Sequence, residues 1–185
     1  MDILIRELAA EDEECGTNLD GSFIVDSTLV LQLTGQQIGY TVEERPFSKK
    51  SYDDEQFEED TVEDYSNYIG NPDQVIYLAL VNNQIVGQIV LKKNWNKYAY
   101  VEDIKVDKLY RGHGIGKKLI EQAKRWAKDG GMPGIMLETQ NNNVRACQFY
   151  ENCGFVIGGF DSYVYRGLDK ESDEVAIYWY LMLDS

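Results

Sequence analysis

No run of about 20 apolar residues occurs anywhere in the chain, so no membrane span is expected. The N-terminus, Met1-Asp2-Ile3-Leu4-Ile5-Arg6-Glu7, has no basic stretch leading into a long apolar one, so no secretory signal is expected. Basic residues are scarce: 18 Lys and Arg stand against 32 Asp and Glu, a net charge of −14. Binding to nucleic acid needs basic clusters that neutralise phosphates, so no nucleic-acid partner is expected. Cysteine is limited to Cys15, Cys147 and Cys153, an odd set without metal-ligand spacing. That argues for a reducing cytoplasm, against a disulfide framework and against a metal site. Internal repeats, low-complexity tracts and linkers are also missing. The 185 residues therefore read as one domain, long enough for a sizeable core. An acidic surface of this kind can steer cationic small molecules, although plain solubility accounts for it equally well.

What is present is a dense succession of short elements. Residues 2–8 read as a strand, Ala10–Asn18 as a short acidic helix and Leu19–Phe23 as a turn. Ser27–Leu33 and Gln37–Glu43 read as a hairpin, and the alternation of Leu29, Leu31 and Leu33 predicts one buried face. Arg45–Tyr52 reads as a loop carrying Pro46. The acidic run Asp53–Asp64, followed by Tyr65, Tyr68 and Ile69 at helical spacing, reads as one exposed helix ending before Pro72. Val75–Val81 and Ile85–Leu91 are strands joined by a tight turn at Asn82-Asn83. Tyr98–Val106 follows as a strand after a turn at residues 94–97. Ile115, Leu119, Ile120, Ala123, Trp126 and Ala127 mark one face of a helix that Gly130, Gly131 and Pro133 terminate. Ile135–Thr139 is a strand, Asn143–Asn152 a helix, and Phe155–Tyr165 and Val175–Leu183 the last strands. Antiparallel neighbours precede one parallel crossover, so an α/β (α+β) fold is expected, a mixed sheet with helices on its faces.

The sequence is most distinctive at Arg111-Gly112-His113-Gly114-Ile115-Gly116, which links a strand to a helix. Glycines let backbone approach a ligand closely. The first helical turn has N–H groups without intrahelical partners, and the helix dipole adds partial positive charge there. A diphosphate suits such a place. The dinucleotide fingerprint G-x-G-x-x-G fails because Lys117 stands where its last glycine belongs, and the P-loop fails at Arg111 and Lys118. What remains is Arg-x-x-Gly-x-Gly.

This pattern resembles the acetyl-CoA motif of the GNAT N-acetyltransferase superfamily. Asn143, then Ala146-Cys147-Gln148-Phe149-Tyr150 and Gly154-Phe155, resemble the same superfamily's later motif. Residues 19–23, Trp95-Asn96, residues 101–104, 111–114 and 137–138, and Gly159-Phe160-Asp161 together look like the streptothricin (nourseothricin) acetyltransferases. The resemblance implies a mostly antiparallel sheet with a splayed parallel strand pair and direct acetyl transfer to an amine. The co-substrate is acetyl-CoA, the acceptor a small cationic amine, and the outcome antibiotic resistance. Dimers are common in the superfamily, and no sequence feature decides the oligomeric state here.

Residue by residue, the resemblance implies that Ile104 and Val106 pair with the pantetheine arm through backbone. N–H groups of Gly112, His113, Gly114, Ile115, Gly116 and Lys117 would hold the diphosphate. Lys105, Lys108, Arg111, Lys117 and Lys118 form a basic island for the tetra-anionic cofactor. Asn143 would cap its helix and approach the cofactor together with Ala146, and Tyr150 would protonate the leaving thiolate. His113, the one histidine, lies where backbone does the binding and is not expected to be a base. An acceptor ammonium must lose a proton before attack, and Glu102 or Glu138 could take it or grip a second ammonium. Glu102 is expected to share a strand face with Ile104. Asp20, Glu138 and Asp161, walled by Trp95 and Tyr163, are the candidates for binding a polycationic substrate. Cys147 and Cys153 read as helix packing. Other readings on the same scaffold are transfer to another small amine, an aminoglycoside or a protein lysine. A non-catalytic acetyl-CoA-binding module is opposed by the presence of Tyr150 and the acidic candidates.

Overall fold

A computed structural model describes residues 1–12, 19–50 and 65–183. The strands and helices, in chain order, are β1 (Leu4–Glu7), β2 (Phe23–Thr34), β3 (Gln37–Lys50), β4 (Gln74–Val81), β5 (Gln84–Lys93), β6 (Ala99–Val106), α1 (Ile115–Asp129), β7 (Gly134–Gln140), α2 (Val144–Asn152), β8 (Val156–Asp161) and β9 (Ala176–Met182). They fall into two compact units. Residues 23–50 and 136–182 make the second, and the remaining described residues make the first.

In the first unit β1, β4, β5 and β6 lie side by side in that order, each pair antiparallel. Asn82 and Asn83 turn the chain between β4 and β5 with φ of 50° and 63°. Asparagine tolerates that left-handed region, and a two-residue turn there matches strand twist. Both faces of β4 and β5 are buried, which explains their nearly unbroken apolar runs. One face takes α1. A Cβ on Gly87 would stand 3.3 Å from the Ile115 side chain and 3.5 Å from that of Leu119, so glycine lets the helix close on the sheet. The other face buries Leu8, Ile76, Leu78, Leu80 and Val90 against Tyr65, Tyr68 and Ile85. Tyr65–Tyr68 is a single 3-10 turn. The rest of the acidic helix expected over Asp53–Asp64 lies outside the described residues. So does the end of the one expected at Ala10–Asn18, which begins as a 3-10 turn at Ala10–Asp12.

In the second unit the strand order is β7-β9-β8, with α2 on one face and the β2–β3 hairpin beside it. Trp179 donates from Nε1 to Thr139 Oγ1 at 2.9 Å, satisfying a buried indole and a buried hydroxyl together. The hairpin is tied in through Asn141. Its carbonyl accepts from Leu29 N (2.9 Å), and its side chain donates to Thr28 Oγ1 (2.9 Å) and Leu29 O (3.0 Å). The Asn141 amide oxygen accepts from Val175 N at 2.9 Å.

Three expectations need correction here. The loop at Arg45–Tyr52 is strand as far as Lys50, because β3 resumes pairing at Ser48↔Val25 after a register shift. Pro46 sits within that shift, where no ladder N–H is required of it. The hairpin has no single buried face: Thr28 and Leu29 are both buried at the Asn141 junction, while Leu33 is 63% exposed near the turn. The strand expected over Phe155–Tyr165 ends at Asp161. There the side chain accepts from Tyr163 N (2.7 Å) and Val164 N (3.2 Å), and the chain enters a 3-10 turn over Val164–Gly167.

Candidate active site

The glycine turn of the first unit has the form an oxyanion needs. Gly112 and Gly114 both have φ of +80°, and nothing stands within 4 Å of where their Cβ atoms would be. Glycine is required there by conformation, and the approach from outside is open. Gly114 is the N-cap residue of α1, and Lys118 N bonds to Gly114 O at 3.1 Å. The N–H groups of Ile115, Gly116 and Lys117 come before that bond and have no helical acceptor. A diphosphate fits these donors. His113 is exposed at the turn, its Nδ1 3.2 Å from Tyr110 O, where the Nδ1–H tautomer donates.

The basic island is smaller than its sequence suggests. Arg111 spends its guanidinium on three carbonyls: Val106 O (2.9 Å), Ser22 O (2.8 Å) and Asp20 O (3.0 Å). It thereby fastens residues 20–22 to the end of β6. Lys108 pairs with Asp20 at 2.7 Å. That ammonium, with bonds from Ser22, holds the Asp20 carboxyl well below the usual carboxylate range, and Asp20 in turn raises Lys108. Lys105 lies 3.9 Å from Asp103, its stem against Gly21. Lys117 and Lys118 remain exposed at the first turn of α1.

Ile104, Lys105 and Val106 end β6 as expected, but Glu102 does not share a face with Ile104. The register runs Ile89↔Ile104, Val90↔Asp103, then Leu91↔Val101, so Glu102 is the extra residue of a bulge. Period-two alternation breaks there, and Val101 takes the face of Ile104. The Glu102 carboxylate is held by Lys92 and by the Tyr68 hydroxyl at 3.2 Å. Trp95 is 90% exposed at the turn before β6. Trp95 precedes β6 and the glycine turn follows it, so the eight-residue strand lies between them.

The second unit brings together the other candidates. Asn143 caps α2, its side chain accepting from Ala146 N at 3.3 Å. Tyr150 is buried on α2, with ring centroids 5.2 Å from Phe149, 5.6 Å from Phe155 and 6.4 Å from Trp179. Cys147, also buried on α2, lies 3.4 Å from Thr139 Oγ1, and burial pushes its thiol up to about 11, which suits packing rather than nucleophilic chemistry. Glu138 is half-buried on β7 and accepts a hydrogen bond from the Tyr165 phenol. Burial raises its carboxyl above the ordinary value, and the phenol partly opposes this. Tyr178 on β9 is raised by burial, then by the charges of Glu138 and Asp161. Tyr163 is exposed, with Arg166 over its ring at 5.0 Å.

Sequence reasoning missed Tyr165, Tyr178, Tyr68, Lys92 and Asn141. Tyr165 carried one usable signal, its place close behind Asp161 and Tyr163, whereas Tyr178 lies in the apolar run of β9 and carried none. The other three act through partners on other elements, which their own local sequence does not name. Among the described residues no three His, Cys, Asp or Glu side chains gather to hold a metal, and no helix is long and apolar enough to cross a membrane.

Residues 37–155 match the acetyltransferase (GNAT) family. The chain belongs to that family. Among GNAT relatives, a streptothricin acetyltransferase from Escherichia coli is 44% identical over 108 residues, 58% of this chain and 62% of that protein. Streptothricin acetyltransferase A of Bacillus subtilis is 38% identical over 141 residues, 76% of this chain and 79% of its own length. The crystal structure of a candidate streptothricin acetyltransferase from Bacillus anthracis, in complex with acetyl coenzyme A, is 58% identical with a TM-score of 0.90. That match covers 100% of this chain and 99% of the other. The mixed, mostly antiparallel α/β fold expected from the sequence is thus the GNAT fold.

Proposed function

We propose that this GNAT protein transfers acetyl from acetyl-CoA to an amine of streptothricin and so confers resistance to it. The observation that carries the cofactor is the open pair of left-handed glycines, Gly112 and Gly114, leading into the bare N–H groups of α1. The streptothricin acetyltransferases among its relatives supply the substrate class. In the proposed step the neutral amine attacks the thioester carbonyl, forming C–N as C–S breaks. Tyr150 protonates the leaving sulfur, and the amine's proton passes to a carboxylate or water.

Of the two carboxylate candidates, Glu138 is better supported for receiving the acceptor. Glu102 is already neutralised by Lys92, whereas the partner of Glu138 is a phenol and burial makes an incoming ammonium welcome. Ile104 and Val106 remain the proposed backbone partners of the pantetheine arm, and Asn143 and Ala146 the α2 contacts. Asp20, Trp95, Asp161 and Tyr163 remain proposed parts of the substrate surface. Asp20 and Asp161 also hold local structure, through Lys108 and the 3-10 turn. A cytoplasmic setting fits two described cysteines that form no disulfide.

The deciding experiment incubates the protein with acetyl-CoA and a streptothricin, following free thiol and the mass of the drug. Thiol release with gain of one acetyl group is expected. Gain on a different amine alone would remove the substrate and leave the family.

A further inference from the structure

The strap after β8 is built to deliver one side chain. Asp161 turns the chain by accepting from Tyr163 N and Val164 N. Arg166 N then bonds to Tyr163 O at 3.0 Å, and Leu168 N and Asp169 N both bond to Tyr165 O at 3.0 Å. The backbone is thus pinned on both sides of Tyr165, whose hydroxyl donates to Oε1 of Glu138, 27 residues earlier. Tyr178 on β9 also feels the charge of Glu138, together with that of Asp161 at the end of β8.

We propose that Tyr165 is a positioning residue that orients the Glu138 carboxylate for the acceptor amine. This rests on the reading of Glu138 as the carboxylate that receives that amine. The phenol occupies Oε1 and leaves Oε2 to accept from an ammonium. It also favours the ionised carboxylate, the form an ammonium requires, against the burial that disfavours it. A carboxylate with neither bond nor cation would rotate and take up a proton at higher pH.

Tyr165→Phe keeps the ring and removes the donor. The expected result is a fall of about tenfold in kcat/KM at neutral pH, the loss of one hydrogen bond to a charged group. The acidic limb of the pH profile should also move upward. In a Glu138→Gln background the same change should add almost nothing, because Tyr165 acts through the missing carboxylate. Losses that add independently, or an unmoved acidic limb, overturn the proposal. Titrating Glu138 by carboxyl-carbon NMR in wild type and Y165F needs no substrate. An upward shift there supports the phenol's hold on the carboxylate even if streptothricin proves the wrong acceptor, and no shift overturns it. Should Y165F fold poorly, Tyr165→Leu removes the same donor with an aliphatic side chain and leaves Glu138 in place. The same upward shift of the limb is then expected, and an unchanged limb again overturns the proposal.

Discussion

The ring of Tyr150 is fixed by aromatic neighbours on three sides. Phe149, Phe155 and Trp179 surround the ring, so Tyr150→Phe should preserve the packing and cost about 1 kcal/mol of stability, the worth of one hydrogen bond. If the hydroxyl protonates the thiolate, kcat should fall about 100-fold or more while the melting temperature barely moves. Parallel stopped-flow and calorimetry check this. A loss of stability that matches the loss of turnover would make Tyr150 a core residue only. Gly158 illustrates how backbone and ring fit elsewhere. A Cβ there would stand 2.4 Å from the Tyr180 ring, in the register shift between Ile157 and Gly159. Single residues of this kind were legible as types but not in their partners. Arg111 looks like a phosphate ligand in sequence because its bonds to Asp20 and Ser22 span 91 and 89 positions.

At the scale of elements, α2 depends on its cap. It is nine residues long and begins at Asn143, whose side chain satisfies Ala146 N. A helix this short has little stability of its own. Asn143→Ala should cost about 1 kcal/mol, read as a shift of the urea midpoint, and should raise KM for acetyl-CoA if the cap also meets the cofactor. Elements were legible where a period was long and its caps local. The face of α1, its glycine stop and the Asn82-Asn83 turn all emerged from the sequence with bounds close to those observed. The bulge at Glu102 did not, because it is a mismatch between two strands and neither strand encodes it alone. Pro46 was misleading for the same reason. Proline ordinarily breaks a ladder, and only the partner's register reveals a gap that accommodates it.

For the whole molecule, charge sets the response to solution conditions. Asp12 is gripped by a two-pronged Arg6, Nη1 at 2.6 Å and Nη2 at 2.7 Å, and this holds its carboxyl below its ordinary 3.8. A lowered carboxyl contributes stability that is present above the ordinary value and lost as pH falls through the folded one. Asp20 acts in the same direction. Glu138, being raised, acts oppositely and costs stability as pH rises above 4.5. Arg6→Ala should therefore destabilise the protein at pH 7, by an amount that shrinks as pH falls below 3.8. Urea midpoints across that range test the sign. A constant difference at every pH would mean that the arginine contributes packing alone.

His113 gives the molecule one more property. It is the sole imidazole of the chain and lies exposed on the glycine turn. A proton NMR spectrum of the unlabelled protein therefore contains a single pair of imidazole ring signals, both arising from the loop proposed to hold the diphosphate. The protein carries its own spectroscopic label at that loop. Once amide protons are exchanged into D2O, occupancy can be followed from the His113 Hε1 line, which lies clear of the other aromatic signals, without mutation, labelled protein or dye.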